Sequence, residues 1–306
     1  MRRLSVRALV RRMTSRSPLS TAHPNGHFYS PVVDPAELAA YSGRLWPTHS
    51  AVLGIDFDEA RHAEILREWF PRYIGDYDYP EKSEGSETPA QFYSQNSQFS
   101  WLDARAYFVL LRQWRPARII EVGSGFSSLL AADVNRRFCN GAIEITCIEP
   151  YPRALLERGI EGVSRLIKAK VQEVDLAEFA RLRAGDVLFI DSSHVAKTGS
   201  DVNFLYFEVL PHLPAGVHVH IHDVFLPREY PREWVLDDNR SWNEQYLVRA
   251  LLMYSTQFAV EFGTSYAFQR YPELVRDALA LRSGSAYGGG SLWIRTLHDG
   301  AVTSPA

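Results

Sequence analysis

The chain has 306 residues, 46% hydrophobic and 23% charged, a balance that supplies a large apolar core and excludes a disordered chain. Lys and Arg number 33 against 36 Asp and Glu, giving a formal net charge of -3, so no overall field favours nucleic acid or an anionic membrane. Only Cys139 and Cys147 are present, which excludes a disulfide framework, and no apolar run approaches the roughly 20 residues of a stable membrane insertion. A cytoplasmic protein with a small, weakly charged partner is the expectation, with assembly into a homo-oligomer allowed.

Residues 1–22 read as a flexible basic tail. Arg2, Arg3, Arg7, Arg11, Arg12 and Arg16 occur with no acidic residue before Asp34, but Leu4, Val6, Leu9 and Val10 make only a short apolar face and Pro18 ends any helix. Residues 23–102 are expected to form a cap on the substrate side. They carry turn signals at His23-Pro24-Asn25-Gly26-His27, a breaker cluster from Tyr79 to Ser86, and one convincing helix from Asp58 to Phe70, where Ile65, Leu66 and Phe70 share a face.

From residue 103 to the end, helices alternate with short apolar strands, the signature of a mostly parallel sheet joined by right-handed crossovers. The predicted strands are Arg118–Val122, Ile143–Ile148, Leu166–Val171, Val187–Ile190 and Val217–Ile221, followed by a later pair, Phe258–Phe262 and Ser291–Leu297, with Gly288-Gly289-Gly290 as the turn into the last.

The first strand runs into Glu121-Val122-Gly123-Ser124-Gly125-Phe126-Ser127-Ser128 and then a helical stretch. Glycines there let the backbone approach a ligand and leave free amide donors at a helix start, but a lone Gly-x-Gly turn also serves a nicotinamide dinucleotide or tight packing. The second strand ends at Glu149, a carboxylate placed to accept both ribose hydroxyl protons. Glu121 would repel a pyrophosphate and suits a cationic ligand.

The chain resembles the class I S-adenosylmethionine (SAM)-dependent methyltransferases, whose first motif has this Glu-x-Gly-x-Gly form and whose second strand ends in the ribose-binding acid. Gly26-His27-Phe28-Tyr29-Ser30-Pro31, Phe189 to Asp201 and His220 to Pro231 are similar to a bacterial group related to catechol-type and sugar O-methyltransferases. The resemblance implies an α/β, Rossmann-like sheet with an N-terminal cap. It implies SAM held by Glu121, Gly123, Gly125, Ser127, Glu149, Gln172 and Asp191. It also implies a divalent cation (Mg²⁺, Mn²⁺, Fe²⁺ or Zn²⁺) on Asp191, His222 and Asp223, with His194 as the general base.

The chemistry agrees with these residue types, since a hydroxyl is a poor nucleophile until a base or a cation lowers the cost of deprotonation. His218 and His220 read as structural, Lys197 and Asp201 as a helix-start ion pair. Phe225 to Trp234 and Trp242-Asn243-Glu244 read as an aromatic loop over the acceptor or against the cap. The leading expectation is metal-assisted O-methylation of a small-molecule acceptor, a sugar or secondary metabolite. The alternatives are another metal-dependent reaction on the same fold, or a non-catalytic SAM-binding or partner-binding module.

Overall fold

A computed structural model describes residues 21–48, 50–51, 53–83, 91–279 and 289–300. The Arg-rich tail lies outside the described residues except at its last two positions, as do part of the breaker cluster and Gly288.

The chain divides into two compact units, one built from residues before Thr48 together with Arg232–Ser241, the other from Thr48–Pro231 and Trp242–Ala306. In the smaller unit, α1 (Pro35–Ala40) starts where Asp34 Oδ1 accepts the Ala36 N–H at 2.8 Å, with proline at the first helical position. Val33 N–H donates to Ser241 Oγ at 3.1 Å, tying the two stretches of that unit together.

The larger unit carries a seven-stranded sheet. Its strands are β1 (Arg118–Val122), β2 (Glu144–Ile148), β3 (Arg165–Ile167), β4 (Val187–Ile190), β5 (His218–Ile221), β6 (Phe258–Gly263) and β7 (Leu292–Thr296). The spatial order is β3-β2-β1-β4-β5-β7-β6, parallel from β3 through β5, with β7 antiparallel to both β5 and β6. All seven predicted strands are present. β3 is shorter than expected, and Val171–Glu173 forms a 3₁₀ turn in place of the strand's end.

The central strands are buried almost throughout because both sheet faces are covered. Ile119, Ile145, Val187 and Phe189 pack on one side with Leu102, Phe108 and Leu111 of α3 (Trp101–Trp114), and with Leu130 and Val134 of α4 (Phe126–Phe138). Ile120, Ile148, Leu188 and Ile190 pack on the other side with Val202 and Leu205 from the helical turns after β4.

The helix expected from Asp58 runs as α2 (Glu59–Glu64), a π turn over Ile65–Trp69, and a last α turn, Phe70–Tyr73. Asp58 caps it, its Oδ1 accepting the Arg61 N–H at 2.9 Å. The π turn widens the buried stripe to Ile65, Leu66, Trp69 and Phe70, all in the first core cluster. His62 is fully buried; its Nε2 accepts the Gly263 N–H at 2.8 Å and its Nδ1 lies 3.1 Å from the Asp58 carbonyl, which pins this helix to β6. Among the described residues no helix is long and apolar enough to cross a membrane.

Candidate active site

Strand order reverses where β4 lies beside β1 on the side away from β2, and the carboxyl ends of these strands open the crevice in which ligands of such sheets bind. The turn after β1 presses against the exit of β4. Gly123 has φ +77°, and a Cβ there would lie 1.7 Å from the Asp191 carbonyl oxygen. Only glycine fits this position. Gly125 differs: its φ of -176° is ordinary extended backbone, and an added Cβ would meet only Gln98 Oε1, at 3.9 Å.

Glu121 is fully buried at the end of β1. Its Oε1 accepts from Ser127 Oγ at 2.5 Å and Ser128 Oγ at 3.0 Å, while Ser128 Oγ in turn accepts the Gly125 N–H at 3.0 Å. Among the described residues its Oε2 has no partner, and neither do the buried hydroxyls of Ser124 and Ser192. Burial pushes Glu121 up to about 8 against the pull of Ser127 and Ser128, with Asp191 and Glu149 adding to the rise. A carboxylate with one open oxygen in an apolar setting fits a cationic amine, as the methionine half of SAM supplies.

Glu149 follows β2. Its Oε2 accepts the Ser124 N–H at 3.3 Å and its Oε1 the Tyr151 N–H at 2.9 Å, so both oxygens are oriented and each keeps a further lone pair. Gln172 sits in the 3₁₀ turn after β3 and donates from Nε2 to the Gly199 carbonyl at 3.0 Å, which ties it to the loop leaving β4.

Asp191 follows β4 and Asp223 follows β5, brought together by the register that pairs Ile190 with Ile221. His194 stands between them, its Nε2 3.4 Å from Asp191 Oδ1 and 3.5 Å from Asp223 Oδ2. Ligand atoms of Asp191, His194 and Asp223 lie within 4.8 Å of one another. His222 is outside that group: its Nε2 is 3.7 Å from Asp223 Oδ1, and its buried Nδ1 has no partner among the described residues. His194 and Asp223 both hold positive φ, 59° and 56°, a backbone region that non-glycine residues occupy at a cost of order 1 kcal/mol or more.

The charges in this cluster are coupled. Burial opposes ionisation of Asp191, but His222 and His194 hold its carboxyl below the usual range. Asp223 is raised, chiefly by burial, against the same two imidazoles. Burial disfavours the charged form of His194, yet the carboxylates of Asp191 and Glu244 beside the ring outweigh it and raise the ring to about 10. In the absence of a cation, His194 is therefore an imidazolium at neutral pH.

Glu244 carries no motif that marks it in the sequence. It opens α5 (Glu244–Leu252), is 1% exposed, and meets His194 Nδ1 through Oε2 at 2.9 Å. Trp242 lies against the same imidazole, ring centroids 4.5 Å apart, and Tyr230 packs edge-on to Trp242 at 6.2 Å. The aromatic segment after β5 thus contributes a wall beside His194. Asp103, at the start of α3, is a second residue without a motif. It accepts from Thr264 Oγ1 (2.6 Å), Gly290 N–H (3.0 Å) and Ser291 N–H (2.9 Å), fixing the entry of β7 where the Gly290 carbonyl receives the Val224 N–H at 2.7 Å.

The remaining singled-out residues are structural. His218 bonds Glu261 through Nδ1 at 2.5 Å and stacks on Trp114 at 3.8 Å; His220 bonds Ser291 Oγ at 2.9 Å and stacks on Phe189 at 3.8 Å. The expected Lys197–Asp201 ion pair is replaced by another contact, because Asp201 accepts from Ser193 N–H (2.8 Å) and Ser193 Oγ (2.6 Å) and so closes the loop after Asp191.

Comparison with known proteins agrees with the motif. The sequence profile of the methyltransferase domain family matches residues 120–224, which span the Glu121 turn, Glu149 and the ends of β4 and β5. An uncharacterized protein of Archaeoglobus fulgidus is 43% identical over 166 residues, covering 52% of this chain and 73% of that protein. A solved structure of a candidate O-methyltransferase from Klebsiella pneumoniae is 14% identical, covers 64% of this chain and 79% of its own, and has a TM-score of 0.37. A candidate methyltransferase from Thermobifida fusca is 14% identical, covers 86% and 88%, and has a TM-score of 0.40. The chain belongs to the class I SAM-dependent methyltransferases, and within them to the same family as the Archaeoglobus protein.

Proposed function

We propose that this methyltransferase transfers the SAM methyl group to an oxygen of a small-molecule acceptor, assisted by a divalent cation held at the ends of β4 and β5. The observation that carries the reading is the convergence of Asp191, His194 and Asp223 beside the SAM turn, where the Asp191 carbonyl backs onto Gly123. Two carboxylates and an imidazole form a donor set that fits a cation. A cation bound there would lower the cost of deprotonating the acceptor hydroxyl.

The chain's own residues do the rest. Glu121 neutralises the ammonium of the methionine half, Glu149 accepts from the ribose hydroxyls, and Gln172 lies on the adenine side. Trp242 and Tyr230 wall the acceptor and exclude water, so that sulfonium methyl and oxygen meet in line, the main requirement of this displacement.

The test is methyl transfer from isotopically labelled SAM to panels of sugars and phenols, with and without EDTA. Label should appear on oxygen and disappear on chelation. Transfer at an unchanged rate in excess EDTA, with metal absent by elemental analysis, would remove the cation from the reaction.

A further inference from the structure

The cluster at the ends of β4 and β5 contains two candidate imidazoles, and its geometry separates them. We infer that His194 is the nitrogen ligand of the cation site, with Asp191 and Asp223, and that Glu244 is the positioning residue that aims it. The inference rests on the cation-assisted reading above.

The first argument is distance. A charge-assisted N–H···O bond closes to about 2.7–2.9 Å, yet His194 Nε2 stands 3.4 Å from Asp191 and 3.5 Å from Asp223. The ring is set back from both acids by a similar amount. Two donor atoms that share a cation at roughly 2.0–2.2 Å each are themselves about 3.0–3.5 Å apart, the edge of an octahedron or tetrahedron around it. The observed spacings are those of ligands around a common centre rather than of partners bonded to each other.

The second argument is the far side of the ring. Metal-binding imidazoles regularly donate their other N–H to a carboxylate, which fixes the tautomer and the ring plane. Glu244 Oε2 lies 2.9 Å from His194 Nδ1. The backbone holds this pair in register: the N–H groups of Asn243 and Glu244 both donate to the His194 carbonyl, at 3.1 and 3.2 Å. The Asn243 side chain accepts from Ala196 N–H at 2.6 Å and donates to Ala196 O at 3.2 Å. Glu244 and His194 are thus locked together by main chain and side chain. Among the described residues His222 has no such support, because its buried Nδ1 meets no partner there.

With Nδ1 given to Glu244 and Nε2 to the cation, His194 keeps no lone pair for the acceptor's proton. The base role that the resemblance attaches to this position then falls away. A mixed set of two carboxylates and one imidazole also shifts preference from Mg²⁺ toward Mn²⁺, Fe²⁺ or Zn²⁺.

The test uses Mn²⁺ alone as probe on the full chain, with calorimetry for affinity and pulsed electron paramagnetic resonance for nitrogen coupling. The wild-type protein should bind one Mn²⁺ with an imidazole nitrogen signal. His194→Ala should lose that signal and at least about 100-fold in affinity, and Glu244→Gln should lose roughly 10–100-fold with the signal weakened. His222→Ala should keep the signal and bind within about threefold of wild type. SAM affinity and the far-ultraviolet circular dichroism spectrum serve as fold controls. Retention of wild-type Mn²⁺ affinity in His194→Ala, or transfer of the nitrogen signal's loss to His222→Ala, would overturn the ligand assignment while leaving the cation-assisted reading in place. A wild-type protein that binds neither Mn²⁺ nor Zn²⁺ and still methylates would remove that reading, and this inference with it.

Discussion

Gly123→Ala is the substitution for which the structure makes the sharpest demand. Two penalties combine. The backbone at Gly123 holds φ +77°, and placing a Cβ in this region costs about 1–2 kcal/mol. The new methyl would also stand 1.7 Å from the Asp191 carbonyl oxygen, a backbone atom that no rotamer change can move aside. Relief requires the β1 turn and the β4 exit to part by more than 1 Å or so, and overpacking of this kind costs about 1–3 kcal/mol. The sum, about 2–5 kcal/mol, is a large share of a typical 5–15 kcal/mol stability and corresponds to a melting point lower by roughly 4–20 °C. Because Asp191 is displaced with its carbonyl, SAM affinity and divalent-cation affinity should fall together in whatever fraction remains folded. Gly125→Ala is the internal control: its extended backbone and a nearest atom at 3.9 Å predict a melting point within about 2 °C of wild type. Scanning calorimetry and SAM titration of the two variants decide the matter. If Gly123→Ala matched wild type in both measurements, or Gly125→Ala melted as low as Gly123→Ala, the steric account of this turn would be refuted.

Further outcomes follow from three ionisable groups, Glu121, His62 and Glu149. Glu121, pushed up to about 8 by burial, holds its proton at neutral pH in the free protein; SAM should expel it, so affinity should rise with pH up to about 8, and calorimetry near pH 7 in buffers of different ionisation enthalpy should detect net proton release. For the free protein the sign is opposite: between the unfolded carboxyl value near 4.5 and about 8 the folded state binds the extra proton, so this group's contribution to stability declines as pH rises through that window. His62 is pushed down to about 4, chiefly by burial, so the unfolded chain binds its proton first and stability should drop by up to about 3 kcal/mol as pH falls from 6.5 to 4; urea midpoints that stay flat across that range would contradict the buried neutral ring. Glu149→Ala should weaken SAM binding by about 2–4 kcal/mol through loss of two charge-assisted hydrogen bonds, and an unchanged dissociation constant would remove it from the ribose site.

Most of the sheet was legible because its strands are buried on both faces and therefore stand out as short apolar runs between polar helices. Val187–Ile190 and Arg118–Val122 match to the residue. β3 was overextended because Lys168 to Val171 continues an alternation that the 3₁₀ turn at Val171–Glu173 interrupts. The helix from Asp58 was legible from its cap and stripe, but the π turn inside it was not, since a search at 3.6 residues per turn sees Ile65, Leu66, Trp69 and Phe70 as an unusually wide face. Ser128, Asp103 and Glu244 are ordinary residue types whose partners lie elsewhere in the chain; Glu244 is 50 residues from His194. No local pattern could announce them, because their role is set by which loop the fold lays beside which strand end.

The pair His222-Asp223 shows why a motif can be right about position and silent about direction. In an extended strand, successive side chains point to opposite faces, so two adjacent residues reach one site only if the backbone turns between them. β5 ends at Ile221, and His218, His220 and His222 follow the two-residue period on one face, where Phe99 lies 5.3 Å from the His222 ring and His220 5.5 Å from it. Asp223 leaves that period at φ +56°, and this reversal swings its carboxylate toward Asp191 and His194. Histidine at 222 therefore continues the strand's polar ladder beneath α3, while histidine at 194, four residues past the end of β4 on a left-handed backbone of its own, is the one aimed across the crevice. Strand periodicity, applied to the residues before Asp223, distinguishes the two imidazoles that composition and spacing treat alike.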